Sequence, residues 1–564
     1  MPTLQFKGRN IIWNHHLTVP YHTLDEVPTN SFDPEKGEGN IIVEGDNLTA
    51  LKALLPQYAG KIKCIYIDPP YNTGNEGWVY NDKVNSPLIN DWLGKTVGTD
   101  DLTRHDKWLC MMVPRLKLLK ELLAPEGGIF ISIDDNELGN LRLICNEIFK
   151  EENFIAVMPR ITKKAGKTTG NVAKNTDYVL VYKGEANLEL ETNTVALENY
   201  DEEDEYVDER GNFKLSQTLD YGSIQYSPSL DYEIELDGEI FRPGGVSKKE
   251  MLARQKLNPK SDWCWRWSKE LFEFGLEKGF VSVKQSRNGK RIYTKTYANA
   301  TIKKNGASYF VDTVERTKKV TTLEFIENQY SNDNSRKEIE RLFGSKVFEY
   351  SKPPSLVKKI LFLATEPNSI ILDSFAGSGT TGQAVLELNK EDGGNRKFIL
   401  VQMTEANDAE PDKNIAKDIT AERIKRAITK YDLNSGFTYY KLGTAIDAET
   451  LLQGDLPTYE QFAKYVYYLC TGQHHSKPKE IKPKDYFVGN AGSTAIYLIY
   501  EQDFEKLTQL ALNLSLAEKF RKASANKPVV VYAPACFLDE EYLQDFNMQF
   551  VSIPYNLFQK NEQP

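Results

Sequence analysis

The chain has 564 residues, 40% of them hydrophobic and 27% charged, with a formal net charge of −10. This is the composition of a folded globular protein, not of a disordered chain, and the length suits about three or four domains. The acidic balance excludes a generally basic nucleic-acid coat, so any nucleic-acid contact has to come from local basic surface.

Six scattered cysteines form no C-x-x-C pair, which argues against a disulfide framework or zinc cluster and for a cytoplasmic protein. Met1 to Asn14 lacks a charged start followed by a long apolar core, so no signal peptide is expected. No apolar run approaches the roughly 18 residues a membrane helix needs. Residues 1–39 read as an N-terminal arm. From Asn40 strand and helix alternate: strand Ile41 to Val43, a break at Gly45-Asp46-Asn47, helix Leu48 to Leu55, then strand Lys63 to Ile67 ending in Asp68-Pro69-Pro70-Tyr71. Helix Asp106 to Leu123 stops at Pro125 and Gly127-Gly128. Strand Ile129 to Ile133 follows, and Asp134-Asp135-Asn136 can cap a helix to Phe149. Strands separated by helices predict a parallel sheet covered on both faces.

This first half reaches residue 184. Residues 185–345 have another texture: an acidic stretch over 185–209 without Lys or Arg, then an aromatic and basic stretch. They read as an inserted α+β domain. The earlier pattern resumes over 346–434, with helix Ser355 to Ala364, strand Ser369 to Leu372, a glycine turn, helix Thr380 to Leu388, strand Lys397 to Val401 and helix Ala421 to Tyr431. Residues 435–564 form a further α/β unit with strands Thr494 to Tyr500 and Val529 to Tyr532. The fold class is therefore α/β, one Rossmann-like sheet split by an insert.

Two motifs stand at the carboxyl ends of buried strands, where parallel sheets place ligands. Asp68-Pro69-Pro70-Tyr71 offers a carboxylate, stiffened carbonyls and a flat ring. A bare proline-rich turn is the plainer alternative, and the strand Cys64 to Ile67 before it argues against that. The second is Asp373-Ser374-Phe375-Ala376-Gly377-Ser378-Gly379-Thr380-Thr381, between a strand and a helix. Gly377 and Gly379 allow close backbone approach, and the helix offers free N–H groups to an anion. No P-loop Lys follows, which disfavours a nucleoside triphosphate. Asp46 and Asn47 follow another strand; read alone they are more often a helix cap.

The set resembles the permuted "β" order of amino-methyltransferases, in which the Asp-Pro-Pro-Tyr motif precedes the Phe-x-Gly-x-Gly motif and a target-recognition domain lies between. Lys352-Pro353-Pro354-Ser355-Leu356 resembles an additional cofactor motif of that family. The resemblance extends to modification subunits of type III restriction–modification systems, through Phe6-Lys7-Gly8-Arg9, Asn40 to Asn47, Tyr71-Asn72-Thr73-Gly74, Lys397 to Gln402 and Gly436 to Tyr440. It implies a seven-stranded, circularly permuted sheet that binds S-adenosylmethionine and leaves S-adenosylhomocysteine. It implies a homodimer acting on double-stranded DNA, beside a restriction subunit with helicase and nuclease activity. Asp68, Pro69, Pro70 and Tyr71 would be catalytic. Asp46, Asn47, Lys352, Pro353, Ser355, Leu356, the run Asp373 to Thr381 and Gln402 would hold the cofactor. Gln402 stands where relatives carry an acid for the ribose, with Glu405 as fallback.

An adenine amine is a poor nucleophile because its lone pair is delocalised. Asp68 and the Pro69 carbonyl can accept its two hydrogens, while Tyr71 stacks on the extruded base. N4-cytosine methylation is the alternative within this chemistry; Asp at position 68 favours adenine, since Ser is usual there in the cytosine enzymes. C5-cytosine chemistry is rejected for want of a Pro-Cys pair. A DNA-recognition module with a decayed site is the alternative from another class. Arg160, Lys163, Lys164 and Lys167, and in the insert Lys284, Arg287, Lys290 and Arg291, are the candidate DNA contacts. A solvated charged hairpin is the plainer reading of the insert group. The acidic stretch is expected to stay off DNA, as a linker or partner surface. His15-His16 and His474-His475 lack a third ligand, so no metal is expected. Trp263, Trp265 and Trp267 read as core.

Overall fold

The computed structural model describes residues 2–73, 101, 103–164, 172–191, 193–194, 200–286, 289–306, 308–314, 317–406, 410–475 and 477–553. The chain divides into two compact units, Met1–Glu191 with Thr321–Pro564, and Thr192–Val320.

The first unit is built on one mixed sheet. Its strands are β1 (Tyr21–Glu26), β2 (Ile41–Glu44), β3 (Ile62–Ile67), β4 (Leu123–Ile133), β5 (Phe154–Ile161), β6 (Thr176–Lys183), β7 (Ile370–Asp373), β8 (Lys397–Gln402) and β9 (Thr438–Ile446). The order is β1-β9-β2-β8-β7-β3-β4-β6-β5. From β9 across to β4 every pairing is parallel. The flanks, β1 on β9 and β6 with β5 beyond β4, are antiparallel.

The sheet has nine strands where seven were expected. The two additions cover an edge: β2 is buried along its whole length, and an open edge there would leave backbone N–H and C=O groups unpaired. Thr438 to Lys441 supply the partners for Ile41 to Glu44. β4 also starts earlier than its sequence suggests. It opens at Leu123, directly after the helix, and takes Pro125 and Gly127-Gly128 into the strand. A side chain on Gly127 would meet the backbone oxygens of Ile62 and Lys63 at 2.9 Å. Glycine there therefore serves the irregular pairing between Ile62 and Cys64.

Alternation within the strands sends side chains to two covered faces. Ile41, Val43, Ile65, Ile67, Ile129, Ile131, Leu372 and Ile399 join one buried cluster with helices α1 (Asn47–Tyr58), α2 (Arg104–Leu122) and α3 (Leu138–Phe149). On the other face lie α4 (Pro354–Ala364), α5 (Thr380–Asp392) and α6 (Glu422–Tyr431). A Cβ on Gly382 of α5 would meet Ile424 of α6 at 2.8 Å and Leu400 of β8 at 3.0 Å. Beyond β9 a four-stranded sheet, β10 (Phe487–Ala491), β11 (Thr494–Leu498), β12 (Val529–Ala533) and β13 (Met548–Ser552), packs with helix α7 (Tyr459–Thr471). Tyr21 of β1 stacks on Tyr465 of α7 with ring centroids 4.5 Å apart.

The second unit holds a three-stranded sheet of Val281–Ser286, Gly289–Tyr297 and Phe213–Thr218, a ladder of Asp220–Ser223 with Asp262–Trp265, and a hairpin of Ala300–Asn305 with Ser308–Thr313. Trp265 lies in its core with Leu219, Phe272 and Ile292, and Trp267 packs against that cluster, whereas Trp263 is partly exposed. All six cysteines are free thiols. Among the described residues no group of three or more His, Cys, Asp or Glu is placed to hold a metal, and no helix is long and apolar enough to cross a membrane.

Asn40 ties the split sheet together. Its amide donates to Gly436 O at 3.0 Å and Ser435 Oγ at 3.2 Å, and its Oδ1 accepts from Phe398 N at 3.1 Å. Asn40→Ala should cost about 1–3 kcal/mol for each buried group left bare. A urea midpoint that falls with an unchanged m-value would register this.

Candidate active site

β7 feeds α5 and then β8 in one direction along the sheet; β3 feeds α2 and then β4 in the other. The β7–β3 junction is thus the switch point of the sheet, where a crevice opens beyond the carboxyl ends. The ladder pairs Ile371 with Cys64 and Leu372 with Ile65. The Asp68 and Asp373 loops therefore leave side by side, although about 300 residues separate them in the chain.

Lys352 joins them. Its ammonium lies 2.5 Å from Asp68 Oδ2 and 4.9 Å from the centre of the Tyr71 ring, and its carbonyl accepts from Thr380 Oγ1 at 3.2 Å. Asp68 Oδ1 is buried and has no hydrogen-bond partner among the described residues. Pro70 O accepts from Trp108 Nε1 of α2 at 2.7 Å, so that carbonyl is spent on the scaffold. The Tyr71 hydroxyl donates to Asp177 at 3.2 Å, and burial raises its pKa well above the usual value.

The glycine loop is braced from below. Gly377 and Gly379 have φ of 50° and 83°, the left-handed region that favours glycine. Gly377 N donates to Gln402 Oε1 at 2.7 Å, and the Gln402 amide reaches Glu405 at 3.0 Å. Gln402, expected to face a ribose, thus shapes the loop. Asp373 is buried and accepts from Phe375 N at 3.0 Å and Thr381 Oγ1 at 2.5 Å. Burial pushes its pKa up to about 7; Thr381, Phe375 N and Lys352 oppose the rise, and nearby Asp68 adds to it. The Ser374 hydroxyl is buried without a hydrogen-bond partner among the described residues. Ala376 is buried within the same loop.

Asp46 caps α1, accepting from Thr49 N at 3.0 Å, and meets Arg115 at 3.2 Å. Asn47 accepts from Arg115 Nε at 2.5 Å and donates to Ser374 O at 3.1 Å, linking a third strand end to the loop. Pro353 precedes α4 as its cap, Leu356 is fully buried, and the Ser355 hydroxyl is bonded to Gln329 O at 2.7 Å. Sequence reading missed Arg423. Fully buried in α6, it donates through Nη1 to Ser378 at 2.6 Å, Thr380 at 2.8 Å and Ser351 at 3.0 Å. Its only trace in the sequence is a cation in a helix whose neighbours repeat with core spacing.

The basic residues expected at DNA are placed differently. Arg160 is buried, forms a two-pronged pair with Asp177 and donates to Tyr330 O and Asn332. It is a structural cation and unavailable to a phosphate. Lys163 and Lys164 are exposed. Lys167 and Arg287 lie outside the described residues. Within the second unit Lys284 pairs with Glu202, Lys290 with Glu239, and Arg291 with Asp220 at 2.7 Å. The acidic stretch accordingly serves the insert itself: Glu202 takes Lys284, and Asp204 takes Lys295 and Tyr297. The Lys284–Glu202 and Lys290–Glu239 pairs are exposed and therefore weak, whereas the Arg291–Asp220 and Lys295–Asp204 pairs are partly buried.

A DNA methylase family model of the N6/N4 type matches residues 62–407. The chain is 33% identical over 454 residues to the type III restriction-modification enzyme StyLTI Mod subunit of Salmonella typhimurium, a match covering 75% of this chain and 63% of that one. It is 31% identical over 416 residues to the EcoPI Mod subunit of Escherichia phage P1, covering 69% and 61%. It is 31% identical over 386 residues to the type II methyltransferase M.KpnI of Klebsiella pneumoniae, covering 67% and 84%. The match thus spans a little over three fifths of the length of those two Mod subunits. A solved structure of an M1.HpyAVI–SAM complex overlaps 64% of this chain and 93% of its own at 13% identity, with a TM-score of 0.27.

Two predictions follow from this geometry. Arg160→Ala leaves Asp177 buried and unpaired and should destabilise the fold by about 3–5 kcal/mol in denaturant titration. Asp373→Asn tests the raised pKa. Between pH 4 and 7 the unfolded chain carries Asp373 ionised while the folded chain keeps it protonated, so wild-type stability falls as pH rises through that window. The variant lacks this titration. Its stability should gain on wild type between pH 4 and 7 and run parallel above it; parallel curves throughout would contradict the assignment.

Proposed function

The chain belongs to the N6/N4 DNA methylase family, and from that premise we propose that it transfers a methyl group from S-adenosylmethionine to N6 of an adenine flipped out of duplex DNA. The observation that carries this reading is the Asp68 carboxylate, with one oxygen on Lys352 and the other buried and without a hydrogen-bond partner among the described residues. It stands one strand away from a glycine loop that opens a helix. Such an oxygen suits one hydrogen of an exocyclic amine. The carbonyl of Pro69, held by the proline-stiffened backbone, supplies the second acceptor.

With both hydrogens held, the amine lone pair is turned out of the ring plane and aimed across the β3–β7 junction. Tyr71, anchored through its hydroxyl, presents its ring to the extruded base. On the other side, the backbone N–H groups at the start of α5 suit a carboxylate, and the buried Ser374 hydroxyl offers a further polar contact. Asp46 and Glu405 are the acids available to the ribose and adenine of the cofactor, since Gln402 is taken by the loop. S-adenosylmethionine, when bound, supplies an activated methyl group with a good leaving group. Alignment alone can remove about 7–11 kcal/mol of barrier.

The neighbourhood of β7 and β3 supports a circularly permuted methyltransferase sheet, since the cofactor half comes later in the chain than the catalytic half. Relatives named as Mod subunits support a role as the modification and recognition subunit of a type III restriction–modification system. On that reading the protein is a cytoplasmic homodimer with a restriction subunit as partner, and the unit Thr192–Val320 reads the DNA site.

Full-length protein with tritiated S-adenosylmethionine and unmethylated genomic DNA should incorporate label, and base-modification sequencing should find methyl on adenine. Asp68→Ala should abolish transfer while the cofactor Kd stays within about twofold. Label on cytosine N4 would replace the target base. Full transfer by Asp68→Ala would remove the catalytic assignment.

A further inference from the structure

Tyr71 is followed by Asn72, a buried residue with φ of 58°. A left-handed backbone is strained for anything but glycine, though asparagine tolerates it better than most. Beside it lies a carboxylate that the chemistry above does not use. Glu137 is fully buried, four residues beyond β4, at the same end of the sheet as Asp68. Its Oε1 accepts from Asn72 Nδ2 and lies 2.5 Å from His105 Nδ1; its Oε2 accepts from Asn140 at 2.8 Å. Burial raises the pKa of this carboxyl, while its hydrogen bonds and His105 oppose the rise. Such a group is costly to bury, and its partners offset that cost only while all are in place.

The partners stand at informative places. Asn72 adjoins the stacking ring. His105 lies in the first turn of α2, one turn before Trp108, which holds the Pro70 carbonyl. One carboxylate oxygen therefore ties both the residue after the catalytic loop and the helix that braces it. We infer that Glu137 is a positioning residue for methyl transfer. By holding Asn72 in its left-handed conformation and docking the start of α2, it sets the tilt of the Tyr71 ring against which the target base stacks. The inference rests on the methyl-transfer reading. The cofactor loop is held by other groups, Gln402, Arg423 and Asn47, and the α2 residue that meets Asn47, Arg115, lies ten residues beyond His105.

The test uses full-length Glu137→Ala, Glu137→Gln and Asn72→Gly. The readouts are single-turnover transfer of tritiated methyl to unmethylated genomic DNA and cofactor titration. Asn72→Gly accepts the left-handed backbone but cannot reach Glu137, so it decides the matter if Glu137→Ala fails to fold. Glu137→Ala and Asn72→Gly should each slow transfer at saturating DNA by at least about tenfold, with cofactor Kd within about twofold of wild type. Glu137→Gln, which keeps an acceptor for Asn72, should lose less. Wild-type rates in Asn72→Gly, or equal losses of rate and cofactor affinity in the variants that fold, would overturn the inference. Absence of transfer by the wild-type protein would instead overturn the function on which it rests.

Discussion

The parallel pairing of β7 with β3 is the contact on which the site depends. Only two residue pairs, Ile371 with Cys64 and Leu372 with Ile65, join the late half of the sheet to the early half at its centre. Because the pairing is parallel and in register, both loops emerge at one height and at one end. Their helices then part in opposite directions, the topology at which open α/β sheets bind ligands. An antiparallel pairing would send one loop to the far edge. The four residues of that ladder are fully buried, so apolar burial, worth roughly 25 cal/mol per Å², holds the junction without drawing on the polar groups above it.

The long insertion between the halves is compatible with this arrangement because loop-closure entropy grows only logarithmically, by about 0.6 kcal/mol per doubling of length. The chain can host a second compact unit between Glu191 and Thr321 and still bring β7 back to β3. Within that unit the charges largely answer one another: Glu202, Asp204, Asp220 and Glu239 meet Lys284, Lys295, Arg291 and Lys290. Asp204 and Asp220 are largely buried in these pairs and so tie the unit together, while Lys284 and Lys290, paired at the surface, are the cations an anion could reach by exchange on the proposed DNA-reading role.

The strands and turns of the site were legible because their signals are local. Cys64 to Ile67 followed by two prolines, and Ile370 to Asp373 followed by a glycine turn, carry strand and turn chemistry within a few neighbouring residues. What could not be read was pairing across the chain. Arg160 advertises a cation, yet nothing nearby reveals Asp177 or Asn332 as its partners. Gln402 shows an amide at a strand end but not that Gly377 occupies it. Likewise Thr438–Ile446 is not read as a strand from the sequence, because its place beside β2 depends on an edge that exists only once β2 is folded into the sheet.

Hydrogen bonding then separates scaffold from site. The buried cation Arg160 has the two oxygens of Asp177, a carbonyl and an amide around it, and Asn40 uses both ends of its amide. By contrast Asp68 Oδ1 and Ser374 Oγ, on adjacent strand ends, are buried and unbonded among the described residues. Each such group costs about 1–3 kcal/mol. Other buried atoms, Asn175 Oδ1, Arg142 Nη1 and Arg423 Nη2 among them, also lack a hydrogen-bond partner among the described residues, but these two stand on adjacent strand ends, and on the proposed methyl-transfer reading they serve ligands. Asp68, being an acceptor, calls for a donor such as an amine. The Ser374 hydroxyl can take either role. On the proposed function, groups of the bound base and cofactor satisfy these two atoms and fix the orientation in which they meet.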